Sequence, residues 1–136
     1  MYTKWQGYEV MFHVAPMLPL MEGENVQQLE RKRHIGNDIL VVIFQDSNTP
    51  IDLETFDSKQ NHIFVAIQPQ DDSYFMTISR KPGVPDFVPE LPSPAVIQKD
   101  TVSRDFLFHK RNYFYFIFLV LFFSSPSHLI ICSSGQ

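Results

Sequence analysis

Residues 39–44, Ile39-Leu40-Val41-Val42-Ile43-Phe44, form an unbroken β-branched and aromatic run without one polar side chain. Such a run cannot alternate between core and solvent, so it reads as a strand covered on both faces. Working outward, Glu9 to Val14 alternates, with Val10, Phe12 and Val14 on one side and Glu9, Met11 and His13 on the other, the period of a half-exposed strand. Pro16 and Pro19 end it. Asn25 stands where it could cap a helix, with Gln28 in the capping-box position, and the helix runs through Arg33 and His34 to a natural stop at Gly36. Gln45 to Pro50 is a turn. His62 to Gln68 and Ser73 to Ser79 read as two further strands joined by a hairpin loop, Pro69-Gln70-Asp71-Asp72, and Thr101 to Lys110 resumes a helical pattern. Together these predict an α/β domain with a mixed sheet flanked by helices, with α+β as the alternative.

Composition bounds the chain from another side. Its 136 residues fit one domain, and 44% hydrophobic against 19% charged residues excludes a wholly disordered chain. A net charge of −4 disfavours general attraction to nucleic acid or anionic lipid. The single cysteine, Cys132, excludes a disulfide framework, and Met1 to Gly7 lacks the apolar core of a secretory signal, so the cytoplasm is the expected compartment.

Two local anomalies stand out. Of thirteen phenylalanines, six lie between 106 and 122 with Phe123 immediately after, and Tyr113 to Phe123 is entirely apolar. The run is too short to span a bilayer as a helix, which takes roughly 20 residues; with Lys110 and Arg111 beside it, interfacial membrane association is the lesser alternative to a buried or aggregation-prone segment. On that reading, deleting everything after Arg111 should improve solubility. The other anomaly is proline: Pro82, Pro85, Pro89, Pro92 and Pro94 make Lys81 to Ala95 an extended surface crossing, with Val84, Phe87, Val88 and Leu91 available to pack.

Chemistry is concentrated in Glu30-Arg31-Lys32-Arg33-His34-Ile35-Gly36-Asn37-Asp38, a basic helix end leading into the buried strand. Arg33, His34 and Asn37 are three or four residues apart and can share a face. Taken alone, this is also what a solvated basic turn looks like, with Gly36-Asn37 as a cap and Asp38 as a turn residue. His13, His62, His109 and His128 have no metal-ligand spacing with one another or with Cys132, so no metal is expected.

Gly7 to Val14 (GYEVMFHV), Gln28 to Ile39 (QLERKRHIGNDI) and Val42 to Gln45 closely resemble the Rap GTPase-activating proteins. The likeness continues more loosely through Asn48-Thr49-Pro50, the paired strands, the proline crossing and Arg104-Asp105-Phe106-Leu107, covering about residues 2 to 110. It implies a GTPase activator, not an enzyme in its own right, acting on a Rap-like small G protein, with Rheb and Ral as other substrates of the class. Asn37 matches the asparagine thumb that supplies a carboxamide in trans to orient the hydrolytic water. His34 matches a position important for activity. No arginine finger is implied, so Arg31, Lys32 and Arg33 are expected to hold the helix or dock the partner. GTP and magnesium would belong to the partner, leaving this chain no cofactor of its own. Family domains have further elements before the MFHV strand and a long terminal helix after the FRDFLL-like segment. The reading is therefore an incomplete catalytic domain at 1–110 and an aberrant Phe-rich tail at 111–136, whose pyrimidine-codon residues suggest a translated intron. The alternative function is a truncated fragment that binds the G protein without accelerating hydrolysis.

Overall fold

The computed structural model describes residues 2–18, 29–45, 50–56, 58–86, 88–101, 103–109 and 128–133. Its elements are β1 (Tyr2–Trp5), β2 (Tyr8–Val14), α1 (Leu29–Gly36), β3 (Leu40–Phe44), β4 (Ile63–Pro69), β5 (Ser73–Arg80), β6 (Val96–Gln98), a second helix α2 over 103–109, and β7 (His128–Ser133). The strands form one mixed sheet in the order β1-β2-β7-β3-β4-β5-β6. Four central strands, β2, β7, β3 and β4, run parallel, and β1, β5 and β6 pair antiparallel to their neighbours.

The expected two-sided strand is β3: Leu40, Val41, Val42 and Ile43 are all buried. Leu40 and Val42 join Val10, Ile63, Val65, Ile67 and Met76 on one face, where Phe106 and Phe108 of α2 complete the cluster. Phe12 meets Phe108 edge to face, ring centres 6.2 Å apart. Val41 and Ile43 join Phe64 on the other face, where the packing partners are Ile51, Leu53 and Phe56 of the 50–56 segment rather than a long helix. Burying a Val, Ile or Phe side chain contributes about 1.5–3 kcal/mol, so these two clusters hold the sheet.

Two short turns have a simple backbone cause. The β1–β2 loop is Gln6-Gly7, and both residues have positive φ, the requirement of a tight hairpin whose twist matches its strands. Lys81-Pro82-Gly83-Val84 closes with the Val84 N–H donating to the Lys81 carbonyl, with Gly83 at φ +88°. In the proline crossing Val84 and Leu91 pack on the core as expected, whereas Val88 is 55% exposed; Phe87 lies outside the described residues. So do the Asn25 and Gln28 caps, most of the Gln45 to Pro50 turn, and the 113–123 run.

The unexpected element is β7. Residues 128–133, read from sequence as part of a tail, lie between β2 and β3 and pair with both: Val14 and Val42 each stand opposite Ile131. Without β7, the facing edges of β2 and β3 have no partner, because these strands do not pair with each other. Deletion of residues 112–136 is therefore expected to abolish cooperative urea unfolding and promote association through the opened edges, the reverse of the solubility gain expected above. Ile130→Pro, which removes one backbone donor mid-strand and leaves its acceptor unpaired, should cost about 1–3 kcal/mol. Parent-like unfolding of both variants would show that the sheet does not depend on β7.

Candidate functional site

The site is built where α1 ends and β3 begins. Arg33 and His34 occupy the last turn of α1, where positive charge is favourable to the helix dipole. The turn closes by sharing: the Asn37 N–H donates to both the Arg33 and the His34 carbonyls, each at 3.2 Å, and the Asp38 N–H donates to the Ile35 carbonyl at 3.3 Å. The helix stops at Gly36, as the sequence suggests, but not through a left-handed residue. Gly36 belongs to the helix, has no positive φ, and a Cβ there would meet Ser58 only at ordinary contact distance, 3.7 Å.

This closure turns consecutive side chains in opposite directions. Asn37 is exposed, and among the described residues its carboxamide makes no hydrogen bond. Asp38 is fully buried. Both Asp38 carboxylate oxygens lie within hydrogen-bond range of His13 Nδ1, at 3.1 and 3.2 Å. Burial pushes the His13 imidazole below its ordinary pKa of 6.5. Desolvation of the ring is the larger cause of that shift, and an Nδ1–H facing the two carboxylate oxygens is the donor of the pair. The His34 ring lies 4.7 Å from the His13 ring, tilted by 43°, which ties the last turn of α1 to the same pair.

Behind the turn stands the segment leading into β4. The Asn61 Nδ2 donates to the Ile35 carbonyl at 2.8 Å and to the Asp38 carbonyl at 2.6 Å, one acceptor on each side of Gly36-Asn37. The Ser58 hydroxyl donates to the Gly36 carbonyl between them. Asn61 is fully buried, and its Oδ1 has no hydrogen-bond partner among the described residues.

Of the residues singled out from sequence, the structure brings His34 and Asn37 together at one helix end, with Arg33 exposed one turn before Asn37. Arg31 and Lys32 lie on the same helix, and their side chains are outside the described residues. Asp38, read as a turn residue, is instead the buried acceptor of the site. His13, Ser58 and Asn61 were not singled out for it; the signal available was only a histidine on the polar side of an alternating strand, since these partners are 22 to 26 residues from the turn. Among the described residues no group of three or more His, Cys, Asp or Glu could hold a metal, and no helix is long and apolar enough to cross a membrane.

Comparison with known proteins gives this turn a context. Residues 1–126 match the family model described as Rap/ran-GAP. The chain is 46% identical over 114 residues to GTPase-activating Rap/Ran-GAP domain-like protein 3 of Mus musculus, an alignment covering 80% of this chain and 11% of that protein. It is 42% identical over 116 residues to a GTPase-activating protein of Dictyostelium discoideum, covering 81% and 11%. Human signal-induced proliferation-associated 1-like protein 3 is 41% identical over 116 residues, covering 81% and 6%. The chain thus spans about a tenth or less of the length of these relatives. A solved structure of the TSC2 GAP domain shares the fold, with a TM-score of 0.51 at 24% identity over 68% of this chain and 52% of that one.

The buried pair is open to test. Asp38→Ala leaves the His13 donor unmatched and should cost about 1–3 kcal/mol in urea denaturation, whereas Asp38→Asn keeps an acceptor and should cost less. Because the folded state disfavours the imidazolium, the contribution of His13 is present above the ordinary value of 6.5 and declines as pH falls through the lowered one. His13→Gln is expected to flatten that part of the stability profile between neutral and mildly acidic pH. An unchanged profile would mean that His13 does not titrate differently in the folded and unfolded chain.

Proposed function

The chain belongs to the Rap/ran-GAP family, and from that premise we propose that it activates a Rap-like small GTPase by lending it the carboxamide of Asn37. The observation that carries this reading is the contrast at one position: an exposed Asn37 side chain on a backbone whose neighbours are bonded on both sides. Hydrolysis of GTP needs a water held in line with the γ-phosphate, and catalysis is mostly positioning and electrostatic stabilisation. A carboxamide both donates to and accepts from water and does not titrate, so it suits the task at any physiological pH. His34, packed on His13, orients the helix end or touches the partner. Arg31, Lys32 and Arg33, consecutive in α1, supply positive charge for docking the acidic rim of the GTPase. On this reading GTP and magnesium are the partner's, residues 1–110 carry the docking surface, and the work is done in the cytoplasm, peripherally wherever the GTPase resides.

The second reading is an interaction unit that docks on the GTPase without accelerating hydrolysis.

Single-turnover phosphate release from GTP-loaded Rap, Rheb and Ral, with and without the chain, separates the two. Acceleration that Asn37→Ala removes while binding persists is the expected result; a group supplied in trans is worth about 10³–10⁵ in rate for small GTPases. Equal rates for parent and Asn37→Ala would sink the carboxamide assignment, and binding without acceleration by the parent would establish the second reading. Arg33→Glu should weaken docking and reduce its dependence on salt.

A further inference from the structure

We infer that Asn61 is a positioning residue for Asn37, a brace that sets where the exposed carboxamide stands; the inference rests on the role proposed for Asn37 above. Three observations converge on it. Asn61 spans the turn, with one amide nitrogen donating to carbonyls at 35 and 38, so the two residues between them, Gly36 and Asn37, are held as a closed loop. The orientation of the amide is settled by chemistry, because the reverse flip would set its oxygen against two carbonyl oxygens. Asn61 is wholly buried while its own oxygen goes without a partner among the described residues, a choice that costs stability and that a plain apolar residue would avoid. An uneconomical buried amide beside a functional turn is accounted for by what it holds.

The brace is anchored in the rigid part of the sheet. Asn61 immediately precedes β4, and the backbone N–H groups of His62 and Ile63 both donate to the Ile39 carbonyl, so the entry strands of the two elements are tied one residue beyond the amide. Ser58 reaches the same turn through the Gly36 carbonyl, and Lys81 reaches back to the Ser58 carbonyl. The 58–61 segment therefore carries the position of β4 and of the residue after β5 to the loop that bears Asn37. A displacement of about 1 Å at a positioned group can cost about 10²-fold in rate, and that is the scale on which a loosened brace acts.

The test uses the whole chain, Asn61→Asp, and Asn61→Ala as a second variant in case the first does not fold. Amide hydrogen exchange reads the brace directly. The expected result is a loss of protection of about tenfold or more at the Asn37 and Asp38 amides with the β4 and β5 amides unchanged, whether or not a GTPase is present. Single-turnover hydrolysis at saturating chain is expected to fall about 10- to 100-fold while the dissociation constant for the GTP-loaded GTPase moves less than about twofold. Unchanged protection at 37 and 38 in a folded variant overturns the inference. So does protection lost across β4 and β5 together, which would make the residue structural. Failure of the parent reading appears elsewhere, in Asn37→Ala alone: if that variant keeps the parent rate while exchange at 37 and 38 responds to Asn61→Asp, the brace stands and the carboxamide role falls.

Discussion

A carboxylate without access to solvent has to find its donor inside the protein, and for Asp38 that donor is His13. This requirement fixes more than one pair. It draws Asp38, two residues before β3, inward, while its neighbour Asn37 is exposed. It also fixes β2 against the entry of β3, and through the contact of the tilted His13 and His34 rings it ties in the last turn of α1. The same turn thus buries one acid and exposes one amide.

What surrounds this pair is stiff for ordinary reasons. β3 has neighbours hydrogen-bonded on both edges and apolar clusters on both faces, so its N-terminal end has little freedom to shift. A site placed at the mouth of such a strand inherits that rigidity, whereas the same residues in a longer surface loop would pay ordering entropy on each encounter with a partner. α1 itself is short and highly charged, and its end is held by bonds from residues 58 and 61 rather than by a broad apolar face.

Legibility in the sequence followed the range of the interaction concerned. β3, β4 and β5 are readable because an uninterrupted or alternating apolar run is a local signal, and α2 because Thr101 to Lys110 keeps a helical spacing. β1 escaped notice since its turn is Gln6-Gly7, not the asparagine or aspartate pairing with glycine that marks tight hairpins, and β6 because three residues after a proline crossing carry too little pattern. At the site, Asn37 and His34 were legible through resemblance, and the spacing of three between them agrees with a shared helix end. The pair His13–Asp38 and the contacts of Ser58 and Asn61 were not, since each joins residues more than twenty apart and no spacing rule reaches that far. Asp38 shows the cost of a local reading: by residue type it suits a turn, and only tertiary burial makes it an acceptor.

The strand supplied by residues 128–133 joins the two sides of the sheet. Neighbouring strands lie about 4.8 Å apart, so placing β7 between β2 and β3 sets their separation near twice that value. The register puts His13, Ile130 and Val41 at one level, and Asp38 stands two residues before β3. The segment least like a domain in composition is therefore the strand that pairs with both β2, which carries His13, and β3, into which Asp38 leads, so the His13–Asp38 pair joins the two strands that β7 keeps apart.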